Sequence, residues 1–299
     1  MSSVAVLIST YNGEKYLEEQ LESIVAQRGV TPIIIVRDDG STDNTCKILD
    51  KWEKRGALKW YDGPNMGPAR SFLNLLRNAG YADYYAFADQ DDYWLPEKMS
   101  VAIEKLAPYK NEPALYFCQT QLVNKDLHKI DSVIIDPLLT FGESLVYQFI
   151  GGCTMVMNRK LLDVINRYTP LYLNMHDVWI YEVAQAIGAH IIFDPVPYIL
   201  YRQHGDNVMG QTTSRAAHWK DRTGRVMRRE WHARSRLAQS VYEGYHEMMS
   251  EEKLNILKDF IDGKKSLRKR LRLLSDDRYR CADKGTYRFF HVAVLLNIY

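Results

Sequence analysis

The chain has 299 residues, 46% of them hydrophobic and 25% charged, with a formal net charge of +2. This composition excludes a disordered protein and leaves room for one large core with an appendage. The small net charge hides a division: from Arg215 onward there are 20 Lys+Arg and 11 Asp+Glu, a +9 tail behind a −7 body.

Val4-Ala5-Val6-Leu7-Ile8 is a continuous apolar run suited to a strand buried on both faces, and it reads as a first strand rather than a signal peptide. Ser9-Thr10-Tyr11-Asn12-Gly13 breaks it. Leu17, Leu21, Ile24 and Val25 then fall on one stripe of a helix over roughly residues 14 to 27. A second buried strand, Ile33-Ile34-Ile35-Val36, runs into Arg37-Asp38-Asp39-Gly40-Ser41-Thr42-Asp43. Another helix follows, with Ser41 or Thr42 as its cap and Ile48, Leu49 and Trp52 inside. The third cycle is a strand Leu58-Lys59-Trp60-Tyr61, a turn Asn65-Met66-Gly67-Pro68 and a helix carrying Phe72, Leu73, Leu75 and Leu76. The fourth strand, Tyr84-Tyr85-Ala86-Phe87, ends in Ala88-Asp89-Gln90-Asp91-Asp92. This strand and helix alternation predicts an α/β fold with a mainly parallel sheet flanked by helices. Ligands on such sheets bind beyond the carboxyl ends of the strands, where all the polar breaks collect.

Past Pro96 come a helix near 96 to 107, a strand Ala114-Leu115-Tyr116-Phe117-Cys118, and a polar stretch from Asn124 to Asp131 to which periodicity assigns no element. Gly151-Gly152 reads as a tight approach before a strand, the two glycines permitting close backbone contact to a ligand, with a helix from Lys160 after it. A loop Asn174-Met175-His176-Asp177 precedes a helix through Trp179, Ile180, Val183 and Ile187. A strand at His190 to Phe193 and a last strand, Tyr198 to Arg202, lead to Gln203-His204-Gly205-Asp206 and a linker from Gly210 to Ser214. Cys46, Cys118, Cys153 and Cys281 include no CxxC pair, which speaks against a zinc site or disulfide framework and fits a reducing cytoplasm. No apolar stretch reaches the roughly 18 to 20 residues of a membrane span, so the protein reads as soluble or peripheral.

Three carboxylates in four residues at one strand end repel each other unless a cation is shared, and oxygen ligands suit Mg²⁺ or Mn²⁺ rather than zinc. The alternative is a solvated acidic turn capping the helix that Pro96 begins. Neither GxGxxG after the first strand nor GxxxxGK[ST] is present, which removes dehydrogenases and P-loop ATPases as first readings. Ser9-Thr10-Tyr11-Asn12, Asp38-Asp39-Gly40-Ser41-Thr42-Asp43, Asn65-Met66-Gly67 with Arg70, and Asp89-Gln90-Asp91-Asp92 resemble, in order, the motifs of family-2 glycosyltransferases of the GT-A fold. Gly151-Gly152, His176-Asp177 and Tyr201-Arg202-Gln203-His204-Gly205 resemble its rhamnosyltransferase-like branch.

The resemblance, over roughly residues 3 to 210, implies an inverting, metal-dependent glycosyltransferase. Thr10, Tyr11 and Asn12 would lie at the nucleotide, Tyr11 stacking on the base and Asp39 accepting from its ring N–H. Asn65 and Arg70 would meet phosphate or ribose, and Gln90 and Gly152 would complete the nucleotide-sugar site. Asp89 and Asp91 would hold Mn²⁺ or Mg²⁺, with His204 as a third ligand or a diphosphate contact. Asp177 would be the general base, with the cap of the following helix as its structural alternative. Implied partners are a dTDP- or UDP-sugar donor and a glycan or lipid-linked acceptor. A catalytically silent scaffold of the same fold and a nucleotidyltransferase are the competing readings.

These readings divide the chain into a catalytic domain over 1–210 and a basic helical region over 211–299, the latter for membrane association or oligomerisation. The tail interleaves aromatics with Trp219, Arg222, Arg225, Arg228, Arg229, Trp231, Arg234 and Arg236, and with the basic run from Lys264 to Arg272. It ends on Phe289-Phe290-His291-Val292-Ala293-Val294-Leu295-Leu296, which suits burial among lipid headgroups. The expected partner is the anionic inner face of the cell membrane, not nucleic acid, since no nucleic-acid motif is present and the body is acidic. A helical hairpin packed on the catalytic domain or on a second subunit is the alternative.

Overall fold

The computed structural model describes residues 2–132, 134–204 and 232–299. In chain order the strands are β1 (Val4–Thr10), β2 (Pro32–Asp38), β3 (Leu58–Asp62), β4 (Tyr84–Ala88), β5 (Tyr93–Trp94), β6 (Ala114–Cys118), β7 (Gln121–Val123), β8 (Val156–Asn158), β9 (His190–Asp194) and β10 (Ile199–Arg202). The helices are α1 (Leu17–Val25), α2 (Thr45–Lys54), α3 (Pro68–Asn78), α4 (Lys98–Leu106), α5 (Phe141–Val146), α6 (Arg159–Ile165), α7 (His176–Ile187), α8 (Ala233–Tyr245), α9 (Glu251–Asp262), α10 (Leu267–Leu274) and α11 (Lys284–Leu295). Seven strands form one sheet in the order β3-β2-β1-β4-β8-β6-β9, parallel throughout except for β8, which runs antiparallel to β4 and β6.

The continuous apolar runs are explained by burial on both faces. Successive strand residues point to opposite sides, so Val4, Val6, Ile8, Ala86 and Tyr116 pack under α1, α2 and α4. Ala5, Leu7, Tyr85, Phe87, Leu115 and Phe117 pack under α3, α5, α6 and α7. On α1, Leu17, Leu21 and Ile24 are buried, whereas Val25 is 49% exposed because a step of eight residues carries it off the stripe.

Several local expectations change. α2 begins at Thr45 rather than after Ser41 or Thr42, because Ser41 donates both its N–H and its hydroxyl to the Asp38 carboxylate and closes a turn instead. The polar stretch after Asn124 is a tight turn in which the Asn124 side chain accepts from the N–H groups of Asp126 and His128. The strand ending at Arg202 lies outside the main sheet: β10 is the centre of a small sheet, antiparallel to β5 and parallel to β7. α7 starts at His176, with Met175 as N-cap, so His176 and Asp177 stand in its first turn rather than in a loop.

The C-terminal helices pack on the α/β body. Leu237, Val241, Tyr245, Leu257, Phe260, Phe290 and Val294 belong to the same buried cluster as α7 and the sheet. The change near residue 210 is thus one of charge and element type, with the core continuous across it from α8 onward. Of the terminal apolar run, Phe290, Ala293 and Val294 point inward, leaving Val292, Leu295 and Leu296 exposed. Residues 205–231, with Gly205, Asp206, the 210–214 linker and the arginines and tryptophans from Arg215 to Trp231, lie outside the described residues. Among the described residues no helix is long and apolar enough to cross a membrane.

Because the core is continuous, residues 233–299 should unfold with the body. Phe260 is fully buried against the rings of Tyr279, Phe290 and Tyr299, at 5.6, 5.9 and 5.1 Å. Phe260→Ala should cost about 3–5 kcal/mol in urea unfolding. Probes in the body and in the tail should report one coincident transition; two separated transitions would show the tail to be an independent module.

Candidate active site

The carboxyl ends of β2, β1 and β4 lie side by side, and their loops are locked together by side chains. Asp38 accepts from the Thr10 hydroxyl at 2.8 Å and from the N–H groups of Gly40 and Ser41 at 3.1 and 2.7 Å. Thr10 is therefore buried, with its hydroxyl turned inward. Asp39 is buried beside the Arg37 guanidinium and accepts from the N–H groups of Met66 and Gly67 at 3.1 and 2.9 Å. Gly67 takes φ +77°, the conformation that lets this N–H turn back before Pro68 opens α3. Asn65 and Arg70 are exposed beside this turn.

Tyr11 is held by a two-point clamp. Its N–H donates to Gln90 Oε1 at 2.9 Å and its carbonyl accepts from Gln90 Nε2 at 3.0 Å. Asn12 bridges across, accepting from the Thr42 N–H at 2.8 Å and donating its own N–H to the Ser41 hydroxyl. The backbone is pinned while the Tyr11 ring stays 49% exposed, as a stacking platform requires. A Cβ at Gly13 would come within 2.3 Å of Gln90 Oε1, so the clamp needs glycine there.

The acidic turn carries uncompensated charge. Burial, then the Asp91 and Asp177 charges, push the Asp89 carboxyl up to about 7. Asp92 is fully buried and pushed well above its ordinary value by burial and then by Asp91 and Asp89. One Asp92 oxygen accepts from the Arg202 N–H at 3.1 Å and the other has no hydrogen-bond partner. Asp91 contacts His204 Nε2 at 2.7 Å. Asp89, Asp92 and Cys153 each bring a ligand atom within 4.8 Å of the others. Burial, then the Asp92 and Asp89 charges, raise the Cys153 thiol far above its ordinary value and keep it protonated, so the usable donors are oxygens with one imidazole. That donor set, with its excess negative charge and orphaned oxygen, fits a hard divalent cation.

Asp177 faces the same crevice. Its carboxylate accepts from the Gly152 N–H at 2.9 Å, and a Cβ on Gly152 would lie 2.5 Å from His176 Nε2. The close approach that Gly152 permits is thus to the start of α7. His176 is buried, stacked on Phe72 at 4.1 Å and edge-on to Phe87 at 4.9 Å, with its pKa pushed down to about 3 by burial. It is neutral and fixes the helix start between α3 and β4. Burial lifts Asp177 to about 6, against the N–H groups of Val178 and Gly152, which favour the ionised form.

Five buried residues carry no assigned role in the motif resemblance. Arg37 and Arg202 hold the turns, and Asp92 and Lys98 line the floor of the acidic site. Lys98 Nζ sits 3.6 Å over the Trp94 ring and is pushed down to about 8 by burial. Glu182, five residues beyond Asp177 on α7, is raised to about 8 by burial, with Gln148 and Arg234 beside it. Asp92 was visible as a third carboxylate; a buried Lys98 or Glu182 leaves no periodicity signal.

The family model described as glycosyl transferase family 2 matches residues 5–165. The chain is 29% identical over 245 residues to the dTDP-rhamnosyl transferase RfbG of Shigella flexneri, covering 75% of this chain and 80% of that one. It is 30% identical over 160 residues to the putative teichuronic acid biosynthesis glycosyltransferase TuaG of Bacillus subtilis, covering 52% of this chain and 62% of the relative. Among solved structures, S. aureus TarS 1-349 in complex with UDP aligns at a TM-score of 0.59 and 21% identity, over 87% of this chain and 71% of that one. The mannosyltransferase PcManGT from Pyrobaculum calidifontis, in complex with GDP-Man and Mn2+, aligns at 0.55 and 15% identity, over 99% and 80%. At those identities the two structures bear on the fold alone, which is GT-A.

Arg37→Met should strand the Asp39 carboxylate in the interior. Loss of one partner of such a buried pair costs about 3–5 kcal/mol, readable in urea unfolding. A loss below about 1 kcal/mol, the range of exposed pairs, would show that Arg37 is not the counter-ion on which this turn depends.

Proposed function

The chain belongs to glycosyl transferase family 2, and from that premise we propose that it is a metal-dependent, inverting enzyme. It transfers a sugar from a nucleoside-diphosphate donor to a lipid-linked or growing polysaccharide acceptor, at the inner face of a membrane. The RfbG resemblance supports L-rhamnose from its dTDP donor. The observation that carries this reading is the meeting of Asp177 with the acidic turn: the Gly152 N–H donates to Asp177 at 2.9 Å, and the next residue, Cys153, brings its thiol within 4.8 Å of ligand atoms of Asp89 and Asp92.

The chain's own residues then divide the work. The exposed Tyr11 ring stacks on the base, whose ring N–H the Asp39 carboxylate would meet, with the neighbouring turn shaped by Asn12. Asn65 and Arg70, exposed at the N-terminus of α3, lie where phosphate or ribose would be met. Asp89, Asp91 and His204 would hold Mn²⁺ or Mg²⁺. When bound, that ion neutralises the charge developing on the leaving nucleoside diphosphate. Asp177 takes the proton from the acceptor hydroxyl as it attacks the anomeric carbon from the face opposite the leaving group, so the product anomer is inverted. Neutral His176 and the Gly152 N–H keep that carboxylate oriented.

Asp177→Asn should lower turnover by at least about 10²-fold with nucleoside-diphosphate affinity near normal. In the unaltered enzyme kcat should rise with pH up to about 6, because Asp177 must be ionised to act and burial has raised it to that value. Unchanged turnover in the variant would remove Asp177 from the mechanism and favour a silent scaffold, and release of pyrophosphate would indicate a nucleotidyltransferase.

Chelation or Asp91→Ala should weaken nucleoside-diphosphate binding in calorimetry. Equal affinity with and without Mn²⁺ would detach the acidic turn from the diphosphate.

A further inference from the structure

The two C-terminal helices α10 and α11 lie against each other, and each leaves an exposed apolar stripe. On α10, Leu273 points into the core, while Leu267 and Leu271, four residues apart on the other side, are 59% and 48% exposed. On α11, Phe290 and Val294 point inward, and Arg288, Val292 and Leu295 form the outward stripe at steps of four and three residues. Leu296 extends it. Arg268 and Arg272 follow the two leucines of α10 at one residue's distance, and with Arg288 they form no ion pair among the described residues; Lys265 and Lys269, by contrast, pair with Asp262. From Gly263 to Ser275 there are six basic residues and no acidic one, and from Lys284 to the last residue there is again no acid.

Apolar stripes flanked by unpaired arginines need a partner that is hydrocarbon at depth and anionic at its surface. We propose that the α10–α11 layer is a docking face for an anionic lipid bilayer, with Leu267, Leu271, Val292 and Leu295 among the headgroups and Arg268, Arg272 and Arg288 on lipid phosphates. A nucleic-acid backbone would satisfy the arginines but leave the leucines in water. A second copy related by a two-fold axis would set acid-free helices against each other, arginine facing arginine. The inference rests on the placement of the enzyme at a membrane and names the surface that achieves it.

The test is flotation of the full chain with vesicles of phosphatidylglycerol and phosphatidylcholine, against vesicles of phosphatidylcholine alone. The unaltered protein should float with the anionic vesicles and be released by salt. Arg268→Gln with Arg272→Gln should bind about thirtyfold more weakly. Leu271→Glu should also lose binding, and both variants should keep their melting temperature and nucleoside-diphosphate affinity, since these side chains are exposed. If the unaltered protein ignores anionic vesicles, the docking face and the membrane placement both fall. If it floats and the variants float equally well, the placement stands and this face is wrong. A dimer in light scattering that Leu271→Glu dissociates would make the layer a self-association surface and overturn the proposal.

Discussion

One buried guanidinium ties together the loops around the acidic turn. Arg202, at the end of β10 and 1% exposed, donates from Nε to the Asp91 carbonyl at 2.8 Å, from a second nitrogen to the Lys125 carbonyl, and from a third to Glu19 on α1. Its plane lies 4.5 Å from the Tyr16 ring, and its backbone N–H reaches Asp92. A cation removed from water is stable only when its donors are matched, and a planar fork serves several acceptors that a lysine could not. The acidic turn, the polar turn after β7 and the first helix are therefore held in one mutual geometry. His204, two residues on, is carried to Asp91 by the same strand.

Around this anchor, the carboxylates serve two purposes that their spacing does not separate. Asp38 and Asp39 accept from internal donors and shape the loops around Tyr11. Asp89 and Asp177 keep raised pKa values because burial is incompletely offset by donors, the condition in which a carboxylate gains most from a nearby cation or accepts a proton near neutral pH. The difference lies in the donors supplied by neighbouring loops. Arg37 and two backbone N–H groups surround Asp39, whereas one Asp92 oxygen is left without any.

The C-terminal helices extend the body on one face only. Residues of α8, α9 and α11 continue the cluster that covers α7, so the segment that presents the basic outer layer also buries the flank of the helix bearing Asp177. The basic outer layer and the flank of α7 thus share one packed unit.

The sequence by itself determined the sheet and its ligand edge. Runs such as Val4 to Ile8 are apolar at every position, which only a strand buried on both sides explains, and polar breaks at Tyr11, Asp39, Asn65 and Asp89 had to fall at the ends of those strands. The pairing of Asp177 with the acidic turn, the inward use of Thr10 and Asp39, and the seat of β10 in a separate small sheet were decided by tertiary structure. So was the division of the terminal apolar run into inward Phe290 and Val294 and outward Val292 and Leu295. Periodicity and local motifs report which residues can be buried and where the chain turns. They carry no term for which distant donor reaches a given carboxylate, and that choice, made by Gly67, Arg202 and Gly152 from segments tens of residues away, sets how far each buried aspartate is compensated.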